Sequence, residues 1–189
     1  MLYNSNSLDF AHYFIEENVR PGDIIVDATA GNGLDTLFLC HLVGETGRVF
    51  AFDIQPQAIE ATKQRLEEVG MADRATLILD SHANIDAYVP RGEISAVVFN
   101  FGYLPGGDHS IGTRAESSIM AIEKSLSSLK SHGIVSLCIY YGGDSGFEEK
   151  DALLNYLKTV DHKTYTVLLQ EFFNRPNCPP IVVNIQKNK

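Results

Sequence analysis

Residues 24–53 constrain this chain more than any other stretch. Ile24-Ile25-Val26 is a short apolar run ending in Asp27 and a small-residue loop, Ala28-Thr29-Ala30-Gly31-Asn32-Gly33. A helical pattern over 34–42 follows, and a second apolar run over 49–52 ends in Asp53. Strand, glycine turn, helix and strand make the opening of a βαβ unit, which requires a parallel sheet with a ligand crevice at its first turn. Gly31 and Gly33 let a ligand approach the backbone, and Asp53 at the tip of the second strand is placed to accept hydrogen bonds from two ribose hydroxyls. The ligand therefore carries an adenosine.

The residues after the glycines distinguish between adenosine ligands. A dinucleotide turn reads G-x-G-x-x-G and seats a pyrophosphate on the helix N-terminus. Here Thr36 occupies the third glycine position and Asp35 lies in the first helical turn, where it repels phosphate. Asp27 and Asp35 instead suit a ligand with cationic groups. S-adenosylmethionine offers an ammonium, a sulfonium and no phosphate, so it fits better than a dinucleotide.

Apolar runs and helical periodicity continue the pattern through the chain. Strands are expected at 24–27, 49–53, 75–79, 97–100, 134–140, 165–172 and 181–185, and helices at 9–17, 34–42, 56–69, 84–88, 113–129 and 147–157. Helices between the first five strands predict an α/β, doubly wound, Rossmann-like sheet of seven strands, mostly parallel and covered on both faces. Residues 174–180 are too few for a crossover, so the last two strands should form an antiparallel hairpin. That arrangement is the one found in class I methyltransferases. With 189 residues, no repeat and no interdomain linker, one domain over 1–189 is expected.

A net charge of −9 argues against a broad electrostatic grip on nucleic acid, though not against a local one. Cys40, Cys138 and Cys178 are far apart, so neither a disulfide framework nor a zinc site is indicated, and no metal is expected. Without an apolar stretch near 20 residues or a basic leader, the chain is expected to be cytoplasmic and to make no membrane contact.

Ligands of doubly wound sheets sit beyond the carboxyl ends of the strands, so the loops there belong to one site. Ser81 and His82 follow the third strand, where His82 either flanks the adenine with Ser81 or starts a helix. After the fourth strand, Asn100 offers a side-chain carbonyl to an amino group and Tyr103 an aromatic face for a flat base. This loop resembles the N-P-P-Y loop of amino-group methyltransferases, with Phe101 and Gly102 in place of the prolines. Such an enzyme aligns a neutral amine with the sulfonium methyl. Asp108 is then expected to bind and orient the amine, with His109 or a water taking the proton; the other reading of His109 is a solvated loop residue. His12, His41, His132 and His162 read as structural or solvated.

Several strings together carry a closer resemblance: D-A-T-A-G-N-G-x-D-T from Asp27, F-D-I-Q from Phe52, N-x-G-Y-L-P-G-G-D from Asn100, Y-Y-G-G from Tyr140 and N-x-P-N-C-P-P from Asn174. Over nearly its whole length the chain resembles a small bacterial family first labelled rRNA methylases and now taken to be tRNA wobble-uridine methyltransferases. The resemblance implies transfer of a methyl group from S-adenosylmethionine to the 5-aminomethyl group of 5-aminomethyl-2-thiouridine, with a tRNA anticodon stem-loop as partner, and it leaves room for a homodimer. Asp27, Gly31, Asn32, Gly33, Asp35, Asp53 and Gln55 match the family's donor site. Thr29 and Thr36 of the same turn, Ser81, His82 and Asn100 complete the expected cofactor-binding set, and Asn100, Tyr103, Asp108 and His109 the expected catalytic set. Leu34 stands where relatives often carry a histidine, and Tyr141 and Gly143 where they have a more His-rich loop after the fifth strand, so no role of those histidines transfers. Methylation of rRNA or a small amine, and a nucleotide-binding oxidoreductase or silent binding module, remain as alternatives.

Overall fold

A computed structural model describes residues 5–102, 113–141 and 146–189. Near its centre β1 (Ile24–Asp27) pairs in parallel with β2 (Arg48–Asp53) on one side and β4 (Ile94–Phe101), the middle strand, on the other. Beyond β2 lies β3 (Ala75–Leu79), and beyond β4 lies β5 (Leu129–Ile139), both parallel. The last two strands, β6 (Tyr165–Gln170) and β7 (Ile181–Lys187), are antiparallel, and β7 inserts between β5 and β6. The order is β3-β2-β1-β4-β5-β7-β6. The chain's direction of winding reverses between β1 and β4, which opens the crevice beyond their carboxyl ends.

The inner strands of this sheet are apolar on both faces because both faces are covered. On one face Val26, Phe52, Val97, Phe99, Val135 and Leu137 pack against α4 (Ala115–Ser128) and α5 (Gly146–Leu157) through Ile122, Leu126, Leu153 and Leu157. Alternate residues Ile25, Val49, Ala96, Val98 and Ile134 meet α1 (Ser7–Asn18), α2 (Leu34–Val43) and α3 (Pro56–Glu68) through Ile15, Val19, Leu39, Val43 and Leu66. Period-2 alternation with apolar residues in both phases is what a twice-covered parallel strand requires.

Several element boundaries depart from the sequence reading: β4 starts at Ile94 rather than 97, and β6 ends at Gln170 rather than 172. Strand β5 starts at Leu129 rather than near 134, because Ile94 pairs with Leu129 while Ala96 pairs with Ile134; the surplus residues bulge, with His132 at φ 61°. Residues 82–87 form a 3₁₀ helix rather than an α-helix over 84–88. Another short 3₁₀ turn, Ala72–Arg74, leads into β3. Helix α1 starts at a capping box in which Asn6 and Asp9 each accept the other's backbone N–H. No helix among the described residues is long and apolar enough to cross a membrane.

Candidate functional site

The β1–α2 turn is organised around Asp27, which is fully buried. Its Oδ1 accepts the Thr29 N–H at 3.1 Å and its Oδ2 the Thr36 hydroxyl at 2.6 Å. Burial first, and the neighbouring Asp35 carboxylate second, push the Asp27 carboxyl up to about 7. Thr36, at the position of the absent third glycine, is itself fully buried and stands behind Asp27, inside the wall of the crevice.

Gly31 and Gly33 both have left-handed φ, 52° and 77°. The Gly31 N–H donates to Asp53 Oδ2 at 2.9 Å, so the acid at the tip of β2 holds the turn in shape. Gly33 is glycine for a reason beyond ligand access: a Cβ there would lie 2.8 Å from the Thr62 Cα of α3. Asn32 is exposed at the crest of the turn, and its carbonyl accepts the Arg65 Nε–H at 2.8 Å. Asp53 Oδ1 accepts the Gln55 N–H at 2.9 Å. Each Asp53 oxygen thus keeps one lone pair for a further donor. Beside it Gln55 is nearly buried, while Ile54 is 54% exposed and offers an apolar surface at the lip of the crevice.

Asp35, in the first turn of α2, is the hub of the opposite wall. Its Oδ2 accepts the Asn100 side-chain N–H at 2.7 Å and its Oδ1 the His12 Nε2–H at 2.8 Å. A carboxylate can only accept, so the Asn100 amide group must face Asp35 and its carbonyl oxygen must point away. The backbone N–H of Asn100 donates to Thr29 Oγ1 at 2.8 Å, which ties the end of β4 to the β1 turn. His12 stacks on Phe38 of α2 at 4.0 Å between centroids, and so brings α1 into the site. The sequence reading of His12 as structural or solvated missed this contact.

Ser81 caps the 3₁₀ helix by accepting the Ala83 N–H at 3.2 Å, and His82 is the first residue of that helix. The His82 ring lies edge-on to Phe99 and Phe101, with centroid distances of 5.9 and 6.2 Å. Its Nδ1 meets the Ala28 carbonyl at 3.3 Å, which assigns the proton to Nδ1 and leaves Nε2 as an acceptor. Nε2 is buried and has no partner. Burial holds the imidazole pKa below its ordinary value, favouring the neutral ring.

Tyr103, Asp108 and His109 lie outside the described residues, as does Gly143 of the loop after β5. Among the residues beside that region, Tyr140 packs its Cβ where a Gly102 side chain would be, at 3.2 Å, and its hydroxyl is raised well above the ordinary phenol range by burial. Among the described residues, no cluster of His, Cys, Asp and Glu could hold a metal ion.

Three carboxylates, Asp27, Asp35 and Asp53, surround one glycine turn, and their ion pairing among the described residues is confined to His12 with Asp35. Such a field repels a pyrophosphate and attracts a cation. Acceptors for ribose hydroxyls, an exposed apolar lip and an unpartnered buried imidazole nitrogen suit a nucleoside. A doubly wound sheet of this order with a cation-favouring nucleoside crevice defines a class I, S-adenosylmethionine-dependent methyltransferase.

The comparisons with known proteins specify the family. Residues 49–186 match the family model described as "Putative rRNA methylase", and the chain belongs to that family. It is 33% identical over 183 residues to the chloroplastic tRNA (mnm(5)s(2)U34)-methyltransferase of Arabidopsis thaliana, covering 92% of this chain and 67% of that one. A solved protein of the same description as the family, from Clostridium thermocellum, superposes with a TM-score of 0.96 at 52% identity, covering 98% of this chain and all of that one. A Streptococcus mutans protein described as a methyltransferase, solved in complex with SAH, gives 0.88 at 38% identity over 97% of this chain and 98% of that one. S-adenosylmethionine is the methyl donor of this chain.

Proposed function

We propose that the protein methylates the 5-aminomethyl group of 5-aminomethyl-(2-thio)uridine at the tRNA wobble position, giving the 5-methylaminomethyl form. The observation that carries the proposal is the Asn100 amide. With its N–H donated to Asp35, the side-chain oxygen at the end of the central strand is an acceptor for an amine N–H. The chloroplast relative, whose name specifies U34 of tRNA, supplies the substrate class.

In this reading Asp53 and Gln55 hold the ribose, Ser81 and His82 flank the adenine, and the 27–36 turn, through Asp27, Thr29, Gly31, Asn32, Gly33, Asp35 and Thr36, shapes a negative cradle for the cationic end of the donor. The donor supplies a methyl group on a sulfonium, an electrophile open to in-line displacement. Asn100 orients the amine so that its lone pair faces that methyl, and such alignment contributes roughly 7 to 11 kcal/mol of barrier reduction in well-oriented systems. Tyr103 stacks on the uracil, Asp108 binds the amine, and His109 or a water takes the proton released when the new N–C bond forms.

The test is mass spectrometry of nucleosides from tRNA carrying 5-aminomethyl-2-thiouridine, incubated with the protein and S-adenosylmethionine. One added methyl on that nucleoside is expected, reduced about 100-fold in rate by Asn100→Ala, with the loss in rate far exceeding the loss in donor affinity that follows from freeing Asp35. No gain on that nucleoside, with the donor still bound in calorimetry, overturns the wobble assignment.

A further inference from the structure

Strand direction gathers a second group of residues at the ligand end of the sheet. Ile139 at the carboxyl end of β5 pairs with Ile181, the first residue of β7, and Val182 pairs with Gln170, the last residue of β6. The 171–180 connection therefore emerges on the same end as Asn100, two to three strand spacings away, or roughly 10 to 14 Å. Helix α1 and the residue before its cap fasten it there: Ser7 Oγ–H donates to the Pro180 carbonyl at 2.5 Å, the Arg175 guanidinium donates to the Ser5 carbonyl at 2.6 Å, and Phe10 meets Phe172 at 5.6 Å. Five residues along the same helix, His12 enters the Asp35 hub.

The side chains presented by this connection are aromatic and cationic. Arg175 lies over the Phe172 ring, with its central guanidinium carbon 3.6 Å from the centroid. The adjacent Phe173 is 97% exposed and contributes almost nothing to the core. After β5, Tyr141 and Phe147 meet edge to face at 5.7 Å, with Lys150 Nζ 4.9 Å above the Tyr141 ring. Phe rings and guanidinium planes beside a nucleotide site are what single-stranded RNA loops stack on.

We propose that Phe173, with the Arg175–Phe172 stack, forms a platform for unpaired bases flanking the acceptor nucleotide of an RNA hairpin loop; this rests on the RNA reading above. A second copy of the chain is the weaker occupant. Phe173 alone buries roughly 150 to 250 Å², against about 800 Å² per partner in a stable interface, so a second copy would have to cover the exposed Leu168 and Leu169 of edge strand β6 as well, and each copy brings the same net charge of −9.

The test uses a fluorescein-labelled synthetic anticodon stem-loop RNA, binding of which is followed by anisotropy, with Phe173→Ala and Phe173→Trp beside the unaltered protein. Loss of one stacked base weakens binding about 5- to 100-fold in Phe173→Ala, and Trp restores it. S-adenosylmethionine affinity and sedimentation stay unchanged in both variants. Equal RNA affinity in Phe173→Ala and the unaltered protein, or no binding by the unaltered protein, overturns the platform. So does a changed sedimentation coefficient with unchanged RNA affinity, which would make Phe173 a protein contact. Weakened hairpin binding without any methylated wobble nucleoside would sink the wobble assignment and leave the platform standing; wobble methylation with an unchanged KM in Phe173→Ala would do the reverse.

Discussion

At the scale of single residues, Asp27 has the clearest pH signature. Its carboxyl ionises near 3.8 in an unfolded chain and at about 7 in the folded one, because burial and then Asp35 oppose its charge. Between those values the folded protein holds a proton that the unfolded chain has lost, so this residue's contribution to stability falls as pH rises from about 4 to about 7 and is level above. Asn fits the same cavity, since it can still accept the Thr29 N–H and can donate to the Thr36 hydroxyl. Melting temperatures across pH 4 to 8 should therefore show Asp27→Asn gaining on the unaltered protein as pH rises; an unchanged difference would remove Asp27 as the titrating group. The acids Asp27, Asp35 and Asp53 were legible in the sequence because strand tips and the first turn of α2 are fixed by local pattern. His12 was not: its partner lies 23 residues away and is met only because α1 packs beside α2.

At the scale of elements, the junction of β1 and α2 depends on its backbone shape as much as on its side chains. Alanine at Gly33 would need a left-handed φ of 77° and would press on the Thr62 backbone of α3. Gly33→Ala is expected to destabilise the fold by more than about 1 kcal/mol, read from urea unfolding, and to weaken donor binding as α3 shifts away from the turn. Undisturbed stability would show that α3 yields freely. Strand centres, the parallel pairing of the first five strands and the closing antiparallel hairpin were readable from apolar runs and connection lengths. The early start of β5 was not, because Lys130, Ser131, His132 and Gly133 are polar or small and become a bulge only through pairing with β4. The 3₁₀ helix at 82–87 is too short for periodicity to separate it from an α-turn.

At the scale of the whole molecule, a net charge of −9 limits how RNA can be held. Arg175 and Lys150 are the cations beside the proposed platform, Lys150 being already paired with Asp151 at 3.1 Å, so about one to two phosphates at most are neutralised, and for single strands each contributes about −0.7 to the slope of log affinity against log salt. Hairpin affinity measured from about 50 to 200 mM salt should accordingly show a slope near −1; a slope steeper than about −4 would point to a broad cationic surface elsewhere and overturn this limit. The strand order has a separate consequence for biogenesis. Because residues 181–187 lie between β5 and β6, the outer edge of β5 stays bare, and residues 165–170 have no neighbour to zip against, until the ribosome has released a segment made after both. The nascent chain thus carries an open sheet edge until residues 181–187 emerge, and the hairpin that arrives to close it also brings the 171–180 connection to the mouth of the site.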